Sequence, residues 1–64
     1  MNYLRINLER FNLSQLEIAK ETGLNKDRIN RLYNAHTQEV FENKCYVSEY
    51  KVLKEYFNNL EEYL

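Results

Sequence analysis

Apolar residues recur along this chain at helical spacing. Leu4, Leu8 and Phe11 fall at i, i+4 and i+7, one face of a helix predicted from about residue 2 to 11 and ended by Asn12. Ser14-Gln15-Leu16-Glu17 then reads as a capping box, in which Ser14 and Glu17 satisfy each other's backbone amides, with Leu13 and Ile18 placed as a hydrophobic staple across it. The helix it opens is predicted over 15–22, burying Leu16 and Ala19 with Ile18 beside them. It stops at Gly23, which enters the left-handed region without a Cβ penalty. Asn25 is a good cap for a third helix, Leu24 and Ile29 repeat the staple spacing, and Ile29, Leu32 and Tyr33 give it an apolar face through about residue 34.

The next stretch, 35–47, fits neither a helical nor a strand period, and a long loop and an irregular hairpin around Glu42-Asn43 both stay open. Order returns at Ser48, a cap candidate. Tyr50, Leu53, Phe57, Leu60 and Leu64 follow at spacings of 3, 4, 3 and 4, a seam of a and d positions along a helical segment of about 48–64. Asn58-Asn59 is a place where that helix could break. Val52, Tyr56 and Tyr63 widen the seam beyond what one packing partner covers, which marks them as candidates for a homodimer contact. With no Pro and one Gly, the chain is expected to be all-α, a single domain over 1–64 with four or five helices.

At 64 residues the chain buries only about 60% of its unfolded surface on folding, which leaves little room for an enclosed catalytic cavity, and no catalytic constellation is present. One cysteine, Cys45, cannot form an internal disulfide, and with the one histidine, His36, it falls short of the four ligands of a structural zinc site. Neither metal nor cofactor is expected. No apolar run approaches a membrane span and the first residues lack the apolar core of a signal peptide, so the expected setting is cytoplasmic, with no membrane partner.

The net charge of −1 is unevenly spread. Residues 1–34 carry Arg5, Arg10, Lys20, Lys26, Arg28 and Arg31 against Glu9, Glu17, Glu21 and Asp27, a balance of +2, whereas 35–64 carry three lysines against six glutamates, a balance of −3. A polyanion would therefore meet the first half. The helix predicted from Asn25 to 34 offers it Lys26, Arg28, Asn30, Arg31 and Asn34, side chains that suit base edges or phosphates. Two short helices joined by a tight turn at Gly23 have the dimensions of a helix-turn-helix, whose second helix enters a DNA major groove.

The run from Gln15 to Asn34 (QLEIAKETGLNKDRINRLYN) resembles the helix-turn-helix core of the phage repressor and Cro family, also called XRE-type regulators, over about residues 4–36. The resemblance implies a lambda-repressor-like fold and a sequence-specific transcriptional regulator of phage or mobile-element origin. Such a regulator excludes polymerase or a competing repressor from a double-stranded DNA operator. It places the family's base-reading positions on Lys26, Asp27, Arg28 and Arg31, and phosphate contacts on Gln15, Asn25, Asn34 and His36. The small residue between the helices falls on Ala19, the turn glycine on Gly23, and the helix anchors on Ile29 and Leu32. Asn34-Ala35-His36 stands where the family often has Asn-Gly and a basic residue, and 35–47 is longer and less basic than usual.

Plainer readings compete. Residues 4–33 could be no more than a small helical bundle, the cations a solvated face, His36 a loop residue, Cys45 a small half-buried apolar group, and the tyrosines core and rim. An alternative function keeps the scaffold but uses the acidic, Tyr-rich second half to bind and modulate another protein. The discriminating features are a cationic face of Lys20, Lys26, Arg28 and Arg31 for a DNA reader, against a dominant apolar patch between Tyr46 and Tyr63 for a protein binder. A recombination accessory factor is a third reading, which also binds DNA.

Overall fold

A computed structural model describes residues 1–63, and among these the chain forms five helices and no strand: α1 (Tyr3–Arg10), α2 (Gln15–Thr22), α3 (Lys26–Tyr33), α4 (Gln38–Lys44) and α5 (Val47–Glu62). The all-α class read from the sequence is the class observed. Leu64, the last position of the predicted seam, lies outside the described residues.

The first three helices start and stop where short-range chemistry tells them to. Asn2 caps α1 by accepting from the Arg5 amide at 2.9 Å. The helix ends in a Schellman arrangement: Asn12 takes a left-handed φ of 54°, the Leu13 amide donates to the Leu8 carbonyl at 2.8 Å, and the Asn12 amide donates to that of Glu9. Both halves of the capping box at Ser14 form, Glu17 N donating to Ser14 Oγ at 3.1 Å and Ser14 N to Glu17 Oε1 at 3.2 Å. At the other end of α2, Gly23 sits at φ 75° and its amide donates to the Ala19 carbonyl at 2.9 Å. Asn25 Oδ1 then accepts from the amides of Asp27 and Arg28 to open α3.

The conformation at Gly23 carries the prediction with the simplest readout. A Cβ built there meets nothing within 4 Å, so space does not forbid a side chain; the positive φ does. Gly23→Val is expected to cost about 1–3 kcal/mol through backbone strain. Gly23→Asn, a residue that tolerates this region, should cost clearly less. Parallel thermal melts check the order, and equal melts for the two would show that φ is not what fixes this residue.

Two elements depart from expectation. The 35–47 stretch is neither a loop nor a hairpin: Thr37 Oγ1 accepts from the Val40 amide at 3.1 Å and opens α4, which buries Phe41 completely. Helix α5 begins earlier than Ser48. Tyr46 is its cap residue, Val47 its first helical residue, and the Glu49 carboxylate reaches back to accept from the Tyr46 amide at 3.0 Å. Ser48 is an exposed residue inside the first turn, and α5 runs unbroken through Asn58-Asn59.

The core takes residues from every helix: Leu4 and Leu8, Ile18 and Ala19, Ile29 and Leu32, Phe41, Leu53 and Phe57, with Ala35 between α3 and α4. Leu16, expected inside, is 48% exposed. At about 100° per residue it stands roughly 160° around α2 from Ile18, so a helix this short buries one of the two, and here it is Ile18, 0% exposed. Of the seam on α5, Leu53 and Phe57 are buried. Leu60 is half-buried, and Tyr50 lies at the surface with its ring 5.3 Å from that of Tyr3.

Candidate nucleic-acid interface

Helices α2 and α3, joined by Gly23, Leu24 and Asn25, form the two-helix unit that the sequence suggested. Ala19 is buried where they meet, and Ile29 and Leu32, both 0% exposed, fix α3 by one face. The opposite face follows from helical geometry. Taken at about 100° per residue, Asp27, Asn30, Arg31 and Asn34 occupy its centre, Lys26 and Arg28 its two edges. Lys26, Asp27, Asn30, Arg31 and Asn34 are all exposed. Lys26 and Arg31 have no ion-pair partner among the described residues.

Arg28 behaves differently from the other cations. Its Nε donates to Glu49 Oε2 at 3.0 Å and its Nη2 to Glu49 Oε1 at 2.7 Å, a bidentate pair, while Nη2 also donates to the Lys44 carbonyl at 2.8 Å. The guanidinium lies over the Tyr46 ring, 4.5 Å from its centroid. This arginine therefore ties α3 to the C-terminal end of α4 and the N-terminal turn of α5, and its Nε and Nη2 donors are engaged within the chain. Glu49, 7% exposed, is buried against it. Sequence reading missed this partner because Glu49 lies 21 positions away, and nothing in its own neighbourhood distinguishes it from a first-turn capping glutamate.

The Arg28 hydrogen bonds, with that from the Tyr46 amide, hold the Glu49 carboxyl below the usual carboxylate range against the opposing effect of burial. A depressed folded-state pKa contributes stability that is present above the ordinary carboxylate value of about 4.3 and disappears as acid titrates the folded group. Replacing Glu49 by Gln, which fills the same space without the charge, should cost about 1–3 kcal/mol at pH 7. The difference from the parent should shrink below pH 4. Chemical denaturation at pH 7 and pH 3.5 checks both, and a pH-independent difference would remove the ion pair as the cause.

The phosphate-contact positions take up varied roles. Gln15, at the first position of α2, accepts from Asn30 Nδ2 at 3.0 Å, and Asn34 Nδ2 in turn donates to Asn30 Oδ1 at 3.3 Å. Three amides thus form a ladder across the two helices. Glu17, held on the Ser14 amide, adds a negative charge at the same helix start, which works against an anion there. Asn25 spends its side-chain oxygen on capping α3. His36 is exposed in the connection to α4.

Among the dimer candidates, Val52 is 37% and Tyr63 88% exposed. Tyr56 is half-buried within its own chain, edge-on to Phe57 at 5.7 Å, and neighbouring Glu21 and Glu17 add to burial in raising its hydroxyl pKa. On the far side of α5, a cavity of about 350 Å³ is lined by Gln38, Phe41, Glu42, Cys45, Val47 and Tyr50. Burial pushes the Cys45 thiol up, away from the reactive thiolate form. Among the described residues no three His, Cys, Asp or Glu side chains are grouped to hold a metal ion, and no helix is long and apolar enough to cross a membrane. No family model, curated protein or solved structure matches this chain.

Proposed function

We propose that this protein binds double-stranded DNA sequence-specifically through α3 and acts as a transcriptional regulator. The observation that carries the reading is a short helix anchored by Ile29 and Leu32 whose whole opposite face is polar and exposed, set beside α2 by a left-handed Gly23. Lys26 and Arg31 on that face are cations without an ion-pair partner among the described residues, which suits a polyanion. The likeness of 15–34 to the repressor and Cro motif supports the same reading. With Arg28 engaged by Glu49, the groove-facing set becomes Lys26, Asp27, Asn30 and Arg31.

A single copy presents few free cations, so the proposed active form is a homodimer meeting two half-sites roughly 34 Å apart. The exposed Val52 of α5 and Tyr63, which caps the end of that helix, supply its contact. Because Glu21 and Glu55 flank Val52, association should strengthen as salt screens them, whereas DNA binding weakens with salt. Sedimentation over a salt series reads the first effect directly.

The test of function is selection from a pool of random-sequence duplexes with the purified chain. Enrichment of a defined motif is expected, with affinity falling about 5- to 150-fold for Arg31→Ala on that motif. Recovery of no motif would turn the reading toward the alternative, a module that binds another protein. That alternative has its own observation: Tyr46, 64% exposed, and Val47, 72% exposed, adjoin the cavity between α4 and α5.

A further inference from the structure

We propose that the cavity between α4 and α5 is a binding site for a small organic cation, an ammonium group carried on one aromatic ring; it stands independently of the DNA-binding reading above. The cavity, about 350 Å³, falls at the lower end of the range of roughly 300–1,000 Å³ over which small-molecule sites occur. Buried Phe41 lies at its base, and Cys45, Val47 and Tyr50 add apolar and aromatic lining from the end of α4 and the start of α5. Val47 is 72% exposed there. A single ring seated in the cavity removes from water apolar surface that the fold alone leaves open.

Charge selects the kind of ring. Glu42 brings the one carboxylate of the lining, and no lysine, arginine or histidine lines the cavity with it. Glu42 has no ion-pair partner among the described residues. Lys44 stands roughly 160° around α4 from it, taken at about 100° per residue, and Lys51 and Lys54 of α5 line a separate hollow. The remaining polar groups are neutral. Gln38, one turn before Glu42, accepts from the Tyr3 amide at 2.6 Å through Oε1, which leaves its Nε2 hydrogens free of partners among the described residues. The Cys45 thiol donates to the Tyr46 carbonyl at 3.6 Å. The Gln38 amide also suits an anion, but an anion would meet a full negative charge one helical turn away, and a charge outweighs a dipole at that distance. A cation gains the carboxylate and an aromatic neighbour in Tyr50.

Cys45 is the one cysteine of the chain, so alkylation of its thiol by iodoacetamide reports occupancy of the cavity directly. The rate is measured on the purified chain with increasing 2-phenylethylamine, 2-phenylethanol or 3-phenylpropionate, three probes that share a ring and differ in charge. N-acetylcysteine under the same conditions corrects for any reaction of probe with reagent. The amine should slow alkylation saturably and at lower concentration than the alcohol, with the carboxylate weakest. The advantage of the amine over the alcohol should fade in about 1 M NaCl. Glu42→Gln, at an exposed position and first shown to melt like the parent, should raise the half-saturating amine concentration about 2- to 5-fold and leave that of the alcohol unchanged. Equal protection by amine and alcohol, stronger protection by the carboxylate, or an amine response that Glu42→Gln leaves unaltered would overturn the cation assignment. Protection by none of the three would overturn the site.

Discussion

Phe57→Ala is expected to destabilise the protein by about 3–5 kcal/mol. The ring is 3% exposed and is the aromatic centre of the core. Phe11 stacks on it with centroids 6.0 Å apart and planes 6° from parallel, and Tyr3 meets it edge-on at 5.8 Å. Its removal leaves a cavity between α1 and α5 that no neighbouring backbone can close without losing those contacts. A core in a chain of this size supplies on the order of 3–5 kcal/mol in total, so the variant should be substantially unfolded at 25 °C. The adjacent Tyr56→Ala, which removes a half-buried ring, should give a smaller loss and retain a cooperative melt. Circular dichroism through a urea titration checks the pair; comparable midpoints for the two would place the core elsewhere.

Asn2 carries the second large effect, and a pair of substitutions separates its two tasks. Its side chain is completely buried. Oδ1 caps α1 by accepting from the Arg5 amide, and the two N–H groups of Nδ2 are shared among the carbonyls of Leu32, Tyr33 and Ala35 at the C-terminal end of α3. Helix ends leave such carbonyls without intrahelical partners, and burying them unpaired is costly. Asn2→Leu, similar in size, strands both ends and should cost about 2–4 kcal/mol. Asn2→Asp is the informative partner. Aspartate caps a helix as well as asparagine does, so a residue acting only as a cap would tolerate it. A carboxylate has no hydrogen to give these carbonyls and is repelled by them, so Asp is expected to be about as damaging as Leu. A melt for Asn2→Asp close to the parent's would reduce Asn2 to a cap.

What could be read from the chain alone were the features settled within a turn or two of sequence. Ser14 and Glu17 are three residues apart, Asn25 reaches the amides of Asp27 and Arg28, and Asn12 and Gly23 answer to their own φ; each fixes a boundary wherever the rest of the chain lies. These local rules determined α1, α2, α3 and the turn between the last two, and with them the polar face of α3. Helix α4 escaped because one residue, Phe41, carries its burial, and a single buried position has no period. The cap signal at Thr37 was present, with Glu39 in the first turn and Lys44 in the last, but lacked an apolar stripe to confirm it.

The tertiary structure decided matters in which the partner lies far along the chain. Composition makes Arg28 and Arg31 equivalent, yet one faces solvent while the other is held by Glu49, because α4 packs on α3 and the first turn of α5 that follows it brings a carboxylate to the edge of α3 that Arg28 occupies. Asn2 bonds to residues 30 to 33 positions away, a relation no periodicity expresses. Leu16 and Ile18 are equally apolar, and which one enters the core depends on where α3 and α5 stand around α2. The sequence by itself thus determined the helices of the first half, their caps and the residue types offered on α3. Which of those side chains stay free to meet a ligand was decided by the fold, since a donor's availability depends on every acceptor that packing brings within about 3 Å of it.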